Sequence, residues 1–300
     1  MTLVTLPFAP GRLQEVSTDL EFARFVAGDQ TDHLAETEFW VPPYGFTLDF
    51  ASVLPQMPKL RAIQTQSAGV DHIIDFVDPS ITLCNARGVH DAATSELGVG
   101  MIIASLRGFP RFVRAQDRGE WDQDQALISL ADRKVLIVGY GSIGQALERR
   151  LAGFEVSITR VARTAREGVH GFDELPGLVP NADVIVLLAP LNPETHHLVD
   201  ASFLKRMKDG ALLVNLARGP LVDTDALVAE ASTGRIRAAV DVTDPEPLPA
   251  GHPLWALPTV LITPHIAGGT TAMRSRIQKL LREQLKRFTE GQPLENVIPH

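Results

Sequence analysis

The sequence has little of several features that would have narrowed its function. Among 300 residues there is one cysteine, and the 28 lysines and arginines are outnumbered by 36 aspartates and glutamates. The single thiol, Cys84, excludes an internal disulfide and fits a reducing compartment. It lies in the apolar run "SITLCNA", so we expect a buried structural thiol. The net charge of −8 argues against non-specific nucleic-acid binding, although a locally basic site can still hold a small anion.

Long apolar runs are also missing. No segment approaches the roughly 18–20 apolar residues of a membrane span. The N-terminus, "MTLVTLPFAPGRLQEV", lacks the basic start and long apolar centre of a signal peptide. We therefore expect a cytoplasmic protein without a membrane or nucleic-acid partner, and no regulatory domain after the final helix. No metal is expected, since His196–His197 has no further ligands at a metal-binding spacing.

The hydrophobic fraction of 45% is ordinary for a globular protein, and 300 residues are enough for two domains. The first part of the chain alternates strand-like and helix-like segments, which predicts βαβ units and a parallel sheet. The predicted strands are "TLVTLPF", "EFWVPPY", "LRAIQTQ" and "ITLCNA". The predicted helices are "STDLEFARFVAG" (17–28), "LDFASVLPQM" (48–57) and "VDHIIDFV" (70–77). A long helical stretch follows at 91–121, and its small residues allow close packing between domains or subunits.

A second alternation begins at Arg133. Its six strands are apolar almost throughout, as a doubly wound sheet covered on both faces requires. They are "KVLIVG", "EVSITRV", "DVIVLLA", "ALLVNLA", "RAAVDV" and "VLITPH". The segment 271–292 is an amphipathic helix, because its apolar residues recur at helical spacing.

The motif "GYGSIG" at 139–144 follows the first of these strands and opens a helix. That context makes the G-x-G-x-x-G pattern a predicted dinucleotide site. Gly139 permits a tight turn, Gly141 lets the backbone approach a pyrophosphate, and Gly144 lets the helix pack on the strand. The free N–H groups of the helix N-terminus would face the phosphates, next to Tyr140, Ser142 and Ile143.

The residue that selects the cofactor is expected about 20 positions beyond the first glycine, which is Arg160. A carboxylate there accepts a hydrogen bond from a ribose 2′-hydroxyl, whereas a guanidinium suits a 2′-phosphate. We therefore predict that NADP(H) is preferred, with NAD(H) possible, through Arg160 and Arg163, with Arg166 more distant. The alternative is that these arginines are solvated and that the site prefers NAD(H) or neither cofactor.

Polar side chains follow three later strands of this sheet. They are Arg218, Asp241 with Glu246, and His265. Since ligands of open parallel sheets bind beyond the carboxyl ends of the strands, we expect these side chains to converge near the nicotinamide.

Six motifs in this order resemble the D-isomer-specific 2-hydroxyacid dehydrogenases over essentially the whole chain. They are "SAGVDHI" (67–73), "TSELGVGMI" (94–102), "GYGSIG" (139–144), "NLARG" (215–219), "DVTDPEP" (241–247) and "TPHIAG" (263–268). The resemblance implies two Rossmann/flavodoxin-like α/β domains, each a doubly wound parallel sheet, with a cleft between them. The substrate-binding domain would comprise 1–97 plus 272–300, and the dinucleotide-binding domain 98–271. A homodimer through the dinucleotide-binding domain is also implied.

The catalytic residues implied by this resemblance are Arg218, Glu246 and His265. Arg218 can hold the carboxylate of a 2-oxo acid and polarise its ketone, because a guanidinium is always charged and offers several donors. A histidine titrates near neutral pH, so His265 suits the role of proton donor to the forming alkoxide. Glu246 would hydrogen-bond the other imidazole nitrogen and favour its protonated form. Formate dehydrogenases of this fold carry glutamine at that place, so Glu246 argues against their activity.

Further contacts are implied by position. The backbone N–H groups of Ala68 and Gly69 would hold the substrate carboxylate, together with Arg218 and His265. The remaining residues expected to line the cofactor are Thr94, Pro190, Thr195, Ala217, Asp241 (at the carboxamide) and Gly268. A contact of His72 or His90 with substrate is a further possibility. The arginine-rich "TRVAR" departs from the acid of NAD-using members.

These observations predict an NADPH-preferring reductase of a small 2-oxo acid, with glyoxylate and hydroxypyruvate leading. One alternative is an oxidoreductase for a bulkier 2-oxo acid, such as phenylpyruvate, since the loops at 43–48, 67–72 and 88–91 set the pocket volume. The other is a corepressor-like protein that senses the dinucleotide without turnover.

Overall fold

The computed structural model describes residues 1–25, 33–45, 48–123 and 127–299. Its strands are β1 (Thr2–Leu6), β2 (Leu20–Arg24), β3 (Thr37–Trp40), β4 (Ala62–Gln64), β5 (Thr82–Cys84), β6 (Lys134–Val138), β7 (Ser157–Val161), β8 (Val184–Leu187), β9 (Leu212–Asn215), β10 (Arg237–Val240) and β11 (Val260–Ile262). Its α-helices are α1 (Phe50–Val53), α2 (Asp91–Leu106), α3 (Phe109–Asp117), α4 (Ser142–Leu151), α5 (Leu175–Leu178), α6 (Ala201–Arg206), α7 (Thr224–Ser232) and α8 (Thr271–Thr289).

The chain divides into two compact units. Unit 1 comprises Met1–His90 and Thr270–His300, and unit 2 comprises Asp91–Gly269. The family resemblance predicts that the chain passes from one domain to the other after residues 97 and 271. In the structure it passes from one unit to the other after His90 and Gly269. Helix α2 therefore lies whole within unit 2.

Unit 1 contains a parallel sheet of five strands in the order β2-β1-β3-β4-β5. Helix α8 returns from the far end of the chain and buries Ile277, Leu281 and Leu285 in one core of this unit, together with Val4 and Phe39. The predicted amphipathic helix is thus present. In the described part of the chain, no helix is both long and apolar enough to cross a membrane.

The predicted helix at 17–28 is wrong. Leu20–Arg24 forms the edge strand β2, which pairs in parallel with all five residues of β1. Before it, Ser17 Oγ accepts a hydrogen bond from Asp19 N at 3.1 Å in a turn that leads into the strand. Pairing with the open edge of β1 overrides the local helical preference. The last residues of the predicted helix, from 26 onward, lie outside the described residues.

The other two predicted helices of this part are much shorter than expected. The segment 48–57 contains only the four-residue α1, capped by Asp49, and a 3₁₀ turn through Pro55. The segment 70–77 contains only a 3₁₀ turn, Ile74–Phe76. Proline lacks the N–H that would continue an α-helix, which explains the first case.

Unit 2 contains a parallel sheet of six strands in the order β11-β10-β9-β8-β6-β7, and all six predicted strands are present. The chain runs from β6 outward to β7 and then returns to β8 on the other side of β6. The carboxyl ends of β6 and β8 therefore form the topological switch point, where open α/β sheets bind ligands.

The long helical stretch at 91–121 is two helices. Gly108 has a φ of +67°, a left-handed conformation that ends α2, and Pro110 begins the first turn of α3. The small residues of α2 serve packing within unit 2, because a Cβ at Gly98 would lie 2.8 Å from Leu216 Cδ1.

Candidate active site

The glycine turn lies at the switch point of the unit 2 sheet. Gly139 has a φ of +101°, and a side chain there would overlap the backbone of Leu188 and Ala189 beyond β8. The N–H groups of Gly139 and Tyr140 both donate to Val161 O, at 2.9 and 2.8 Å, so the turn is fixed to the end of β7. Only glycine fits the first position of the motif.

The second and third glycines differ in their surroundings. A Cβ at Gly141 would meet no described atom within 4 Å, whereas one at Gly144 would lie 3.3 Å from Ile137 Cγ2 on β6. Gly141 caps α4 without a side-chain hydrogen bond. The open space and the uncapped helix N-terminus fit a dinucleotide pyrophosphate, and Ser142, Ile143 and Gly144 form the first turn whose N–H groups would hold it.

Arg160 pairs with an acid on α4. Its Nε donates to Glu148 Oε2 at 2.8 Å, and its Nη2 donates to Glu148 Oε1. Tyr140 also donates its hydroxyl to this carboxylate. The hydrogen bond from Arg160 is the main reason that the pKa of Glu148 lies below its usual value. The Arg160 side chain is 34% exposed, so it is accessible to solvent, although Glu148 already engages its Nε and Nη2.

The two other arginines lie on a hairpin that begins after β7. Arg163 is exposed, and no hydrogen bond or ion pair joins it to any other described residue. Arg166 was expected to be more distant, but its Nη2 donates to Tyr140 O at 2.9 Å within the glycine motif. The hairpin is fixed by paired backbone hydrogen bonds between Arg166 and Val169. Arg166 thus lies against the glycine motif, whereas the guanidinium of Arg163 remains unengaged within the described chain.

His265 and Glu246 form a hydrogen-bonded pair beyond the strands β11 and β10. The distance from His265 Nδ1 to Glu246 Oε1 is 2.5 Å, and the His265 side chain is 25% exposed. Burial would raise the pKa of the Glu246 carboxyl, but the hydrogen bond and charge of His265, a backbone N–H of Thr243 and the charge of Arg218 hold it below its usual value. An ionised Glu246 orients the imidazole through Nδ1.

Arg218 lies directly after β9, next to this pair. A side chain at Gly219 would overlap the backbone at Thr243, so the loops that follow β9 and β10 are in close contact. Arg218 Nη1 donates to Ala217 O at 2.8 Å. Asn215, which sequence reasoning passed over, is buried and accepts from Ala217 N while donating to Arg218 O. Its place in "NLARG" was the available signal for this positioning role.

Asp241 is buried, with 2% of its surface exposed. Its Oδ1 accepts from Thr263 Oγ1 at 2.6 Å and from Ile266 N at 3.0 Å, and its Oδ2 accepts from Ala267 N at 3.0 Å. These bonds shape the loop that carries His265, whose φ is +52°. Asp241 therefore serves to position this loop.

The other residues expected around the cofactor are distributed along unit 2. Thr94 and Thr195 are buried in α2 and in the loop after β8, and Thr195 Oγ1 donates to Pro190 O at 2.7 Å. Ala217 and Gly268 are partly buried in the loops that carry Arg218 and His265. None of these side chains has a geometry that identifies a ligand by itself.

The turn at Ala68 and Gly69 belongs to unit 1 and follows β4. The two carbonyls accept from Asn85 Nδ2 and Ser67 Oγ, both at 2.8 Å. Their N–H groups donate to no described residue, which leaves them available to an anion. His90 is buried, with Nε2 2.7 Å from Gln66 O, so it braces this turn. Part of the predicted loop at 43–48 lies outside the described residues.

Comparison with known proteins identifies the family. Residues 99–267 match the family profile described as D-isomer specific 2-hydroxyacid dehydrogenase, NAD binding domain. A glyoxylate reductase of Thermofilum pendens is 34% identical, over 81% of this chain and 76% of that protein. The human glyoxylate reductase/hydroxypyruvate reductase is 33% identical, over 80% of this chain and 77% of that protein.

A solved structure agrees with these matches over nearly the whole chain. It is a D-isomer specific 2-hydroxyacid dehydrogenase from Xanthobacter autotrophicus Py2 in complex with NADPH and MES, 29% identical. The TM-score is 0.82, with 99% of this chain and 97% of that chain covered. The chain therefore belongs to the D-isomer specific 2-hydroxyacid dehydrogenase family, whose members are oxidoreductases that act on CH–OH groups with a nicotinamide dinucleotide.

Proposed function

We propose that this protein reduces a small 2-oxo acid of the glyoxylate and hydroxypyruvate class to the D-2-hydroxy acid, with NADPH as the preferred reductant. The observation that carries the proposal is the His265–Glu246 pair beside Arg218 at the carboxyl end of the unit 2 sheet. The names of the relatives from Thermofilum pendens and human support the substrate class. A bound nicotinamide dinucleotide would supply the hydride.

His265 is the proposed proton donor. Glu246 holds its Nδ1 and so orients the imidazole, which would give a proton to the alkoxide formed from the ketone. Reduction consumes the protonated imidazole, so its rate should fall as the pH is raised. Oxidation of the hydroxy acid needs the neutral imidazole, so its rate should rise with pH.

Arg218 is proposed to bind the substrate carboxylate and to polarise the ketone. Its Nη1 donates to Ala217 O, and this bond helps to fix the direction of a guanidinium that carries five N–H donors. We also propose that unit 1 is the substrate-binding domain, in which the N–H groups of Ala68 and Gly69 offer donors to a carboxylate.

The preference for NADPH is proposed to depend on Arg163 more than on Arg160. Arg163 is exposed and unengaged within the described chain, whereas Arg160 forms two hydrogen bonds with Glu148. Arg166 lies against the glycine motif and adds positive charge there. A relative solved with NADPH supports this cofactor, while the family description names NAD.

The test is a steady-state assay that follows the absorbance of NADPH or NADH with glyoxylate, hydroxypyruvate, pyruvate and phenylpyruvate. We expect fastest turnover with NADPH and one of the first two acids, and His265→Gln should lower kcat by about 10²–10⁴-fold. A preference for phenylpyruvate would favour the bulkier-substrate alternative. Tight dinucleotide binding without turnover would contradict the enzyme and favour a sensor.

The cofactor assignment has its own variants in the same assay. Arg163→Gln should lower the ratio of kcat/KM for NADPH to that for NADH by about tenfold or more, which corresponds to about 1.4 kcal/mol. Arg160→Gln should change this ratio less, because its guanidinium is paired with Glu148. An unchanged ratio in the Arg163 variant would rule out its proposed role.

A homodimer through unit 2 is proposed from exposed apolar side chains. Phe109 and Val113 on α3 are 51% and 57% exposed, and Trp121 beyond it is 93% exposed. Such a patch often marks a protein interface. Sedimentation equilibrium should give twice the chain mass for the natural protein and a smaller value for Val113→Glu. A cytoplasmic location stays a prediction from the sequence.

A further inference from the structure

A groove in unit 1 contains none of the residues proposed above to contact the cofactor or to take part in catalysis, and it shares only Gly88 and Val89 with the loops expected to shape the substrate pocket. Its cavity volume is about 730 Å³, and its walls come from the 3₁₀ turn Gly11–Glu15, the loop 87–89 and α8. This volume falls within the roughly 300–1,000 Å³ that small-molecule sites occupy. Val16, Val89 and Leu280 are its apolar residues. The groove is therefore large enough for a ligand of several functional groups.

The lining of the groove is basic, although the protein is acidic overall. Six cations line it: Arg12, Arg87, Arg276, Lys279, Arg282 and Lys286. The Arg276 side chain donates to Ala272 O at 2.9 Å, and within the described chain no hydrogen bond or ion pair engages the side chains of the other five. The whole chain carries a net charge of −8, so this concentration of cations is a local reversal of charge.

The acids of the groove do not neutralise these cations. Glu283 accepts from Arg287 Nε at 2.9 Å, and Glu295 accepts from Arg287 Nη2 at 2.7 Å. Arg287 lies outside the lining and pairs with two of the three lining acids, and the six lining cations outnumber those acids. Glu15 is the third. The groove consequently keeps its positive charge and offers several arginine forks, whose geometry suits phosphate oxygens.

We propose that this groove binds a small molecule that carries two or more phosphate groups. A single phosphate engages only a few donors, whereas the cations line three walls of one cavity. Val16, Val89 and Leu280 can contact the non-phosphate part of such a ligand. The site is independent of the proposed function, because all of its residues belong to unit 1 and none has a role in the proposed reaction.

The experiment is calorimetric titration of the full chain with inorganic tripolyphosphate, with orthophosphate in parallel. The groove variant carries Arg87→Gln, Lys279→Gln and Arg282→Gln. The matched control carries Arg149→Gln, Lys205→Gln and Arg206→Gln, which removes the same charge from exposed positions of unit 2. Surface substitutions of this kind usually change stability little, so both variants should fold.

We expect at least tenfold weaker binding of tripolyphosphate in the groove variant, unchanged binding in the control and much weaker binding of orthophosphate. Absence of tripolyphosphate binding to the natural chain would overturn the proposal. Equal losses in both variants would also overturn it, because they would show a response to net charge alone. Unchanged binding in the groove variant would place the anion elsewhere.

Discussion

The two units share a strand order but differ where that order reverses. In unit 1, β1 is followed by prolines and the short 3₁₀ turn Gly11–Glu15. In unit 2, β6 is followed at once by Gly139 and the ten-residue α4. Both sheets present the carboxyl ends of parallel strands at the reversal. Strand order alone therefore does not create a dinucleotide site, which also needs a glycine turn and a helix N-terminus at that point.

The units also differ in how their cores are closed. The helices between the strands of unit 1 are short, and α8 from the far end of the chain buries three side chains on its sheet. Unit 2 covers its sheet with its own connections, above all α2 and α4. The folding of unit 1 thus depends on a distant segment, whereas unit 2 is continuous in sequence.

The largest expected effect comes from Gly139→Ala. The added methyl group would overlap the backbone beyond β8 at a residue whose φ is +101°, so we expect a loss of about 3 kcal/mol or more in unfolding free energy. Dinucleotide affinity should fall with it, because the turn must shift. Urea unfolding and fluorescence titration with NADPH measure the two effects.

Gly11→Ala is the matched control at the corresponding connection of unit 1. Its φ of +52° is also positive, but a Cβ there would meet no described atom within 4 Å. The expected cost is therefore only the left-handed backbone term of about 1–2 kcal/mol. Equal costs for the two variants would show that the contact with Ala189 is not what requires Gly139.

How far sequence predicts structure differs in the same way between the units. The strands of unit 2 are buried on both faces, so their continuous apolar runs were unambiguous. In unit 1, β2 is a half-exposed edge strand whose residues also fit a helix, and only its pairing with β1 decides between the two. Such pairing is tertiary information that a single segment does not contain.

The candidate site shows the same limit at the level of side chains. The "GYGSIG" turn and the His265–Glu246 pair follow from motifs that fix both spacing and chemistry. The partner of Arg160 did not follow, because Glu148 reaches it from α4, 12 residues earlier in the chain. An arginine count after β7 indicated positive charge correctly, but it did not show which guanidinium remains available.

A moderate effect is expected from Leu281→Ala in α8. Leu281 is fully buried in the unit 1 core, and the cavity left by its truncation should cost about 2–5 kcal/mol. The exposed Arg274→Ala on the same helix should change stability by less than about 0.5 kcal/mol. Because α8 belongs to unit 1, NADPH affinity should be unchanged in both variants. A large loss of NADPH affinity in Leu281→Ala would show that dinucleotide binding depends on the core of unit 1.

The smallest effect concerns the titratable groups near the ends of the two sheets. His265 beyond β11 is partly exposed, whereas Cys84 at the end of β5 is buried, and burial raises the pKa of its thiol to about 11. A thiol in the unfolded chain has a pKa of about 8.5. Because the folded pKa is the higher one, the folded state retains the proton longer. The buried, protonated thiol of Cys84 therefore contributes fully to the unfolding free energy below about pH 8.5. This contribution is lost as pH rises towards 11.

The measurable consequence is a difference between the natural chain and Cys84→Ala. At pH 10 the ionisation should lower the unfolding free energy of the natural chain by about 1–2 kcal/mol relative to its value at pH 7. The alanine variant should lack this component, although its overall stability can differ for reasons of volume. Urea unfolding of both chains at the two pH values isolates the component as a difference of differences. A value of zero would mean that the thiolate is solvated in the folded chain. The end of β5 at Cys84 would then be accessible to water, as the partly exposed His265 beyond β11 is.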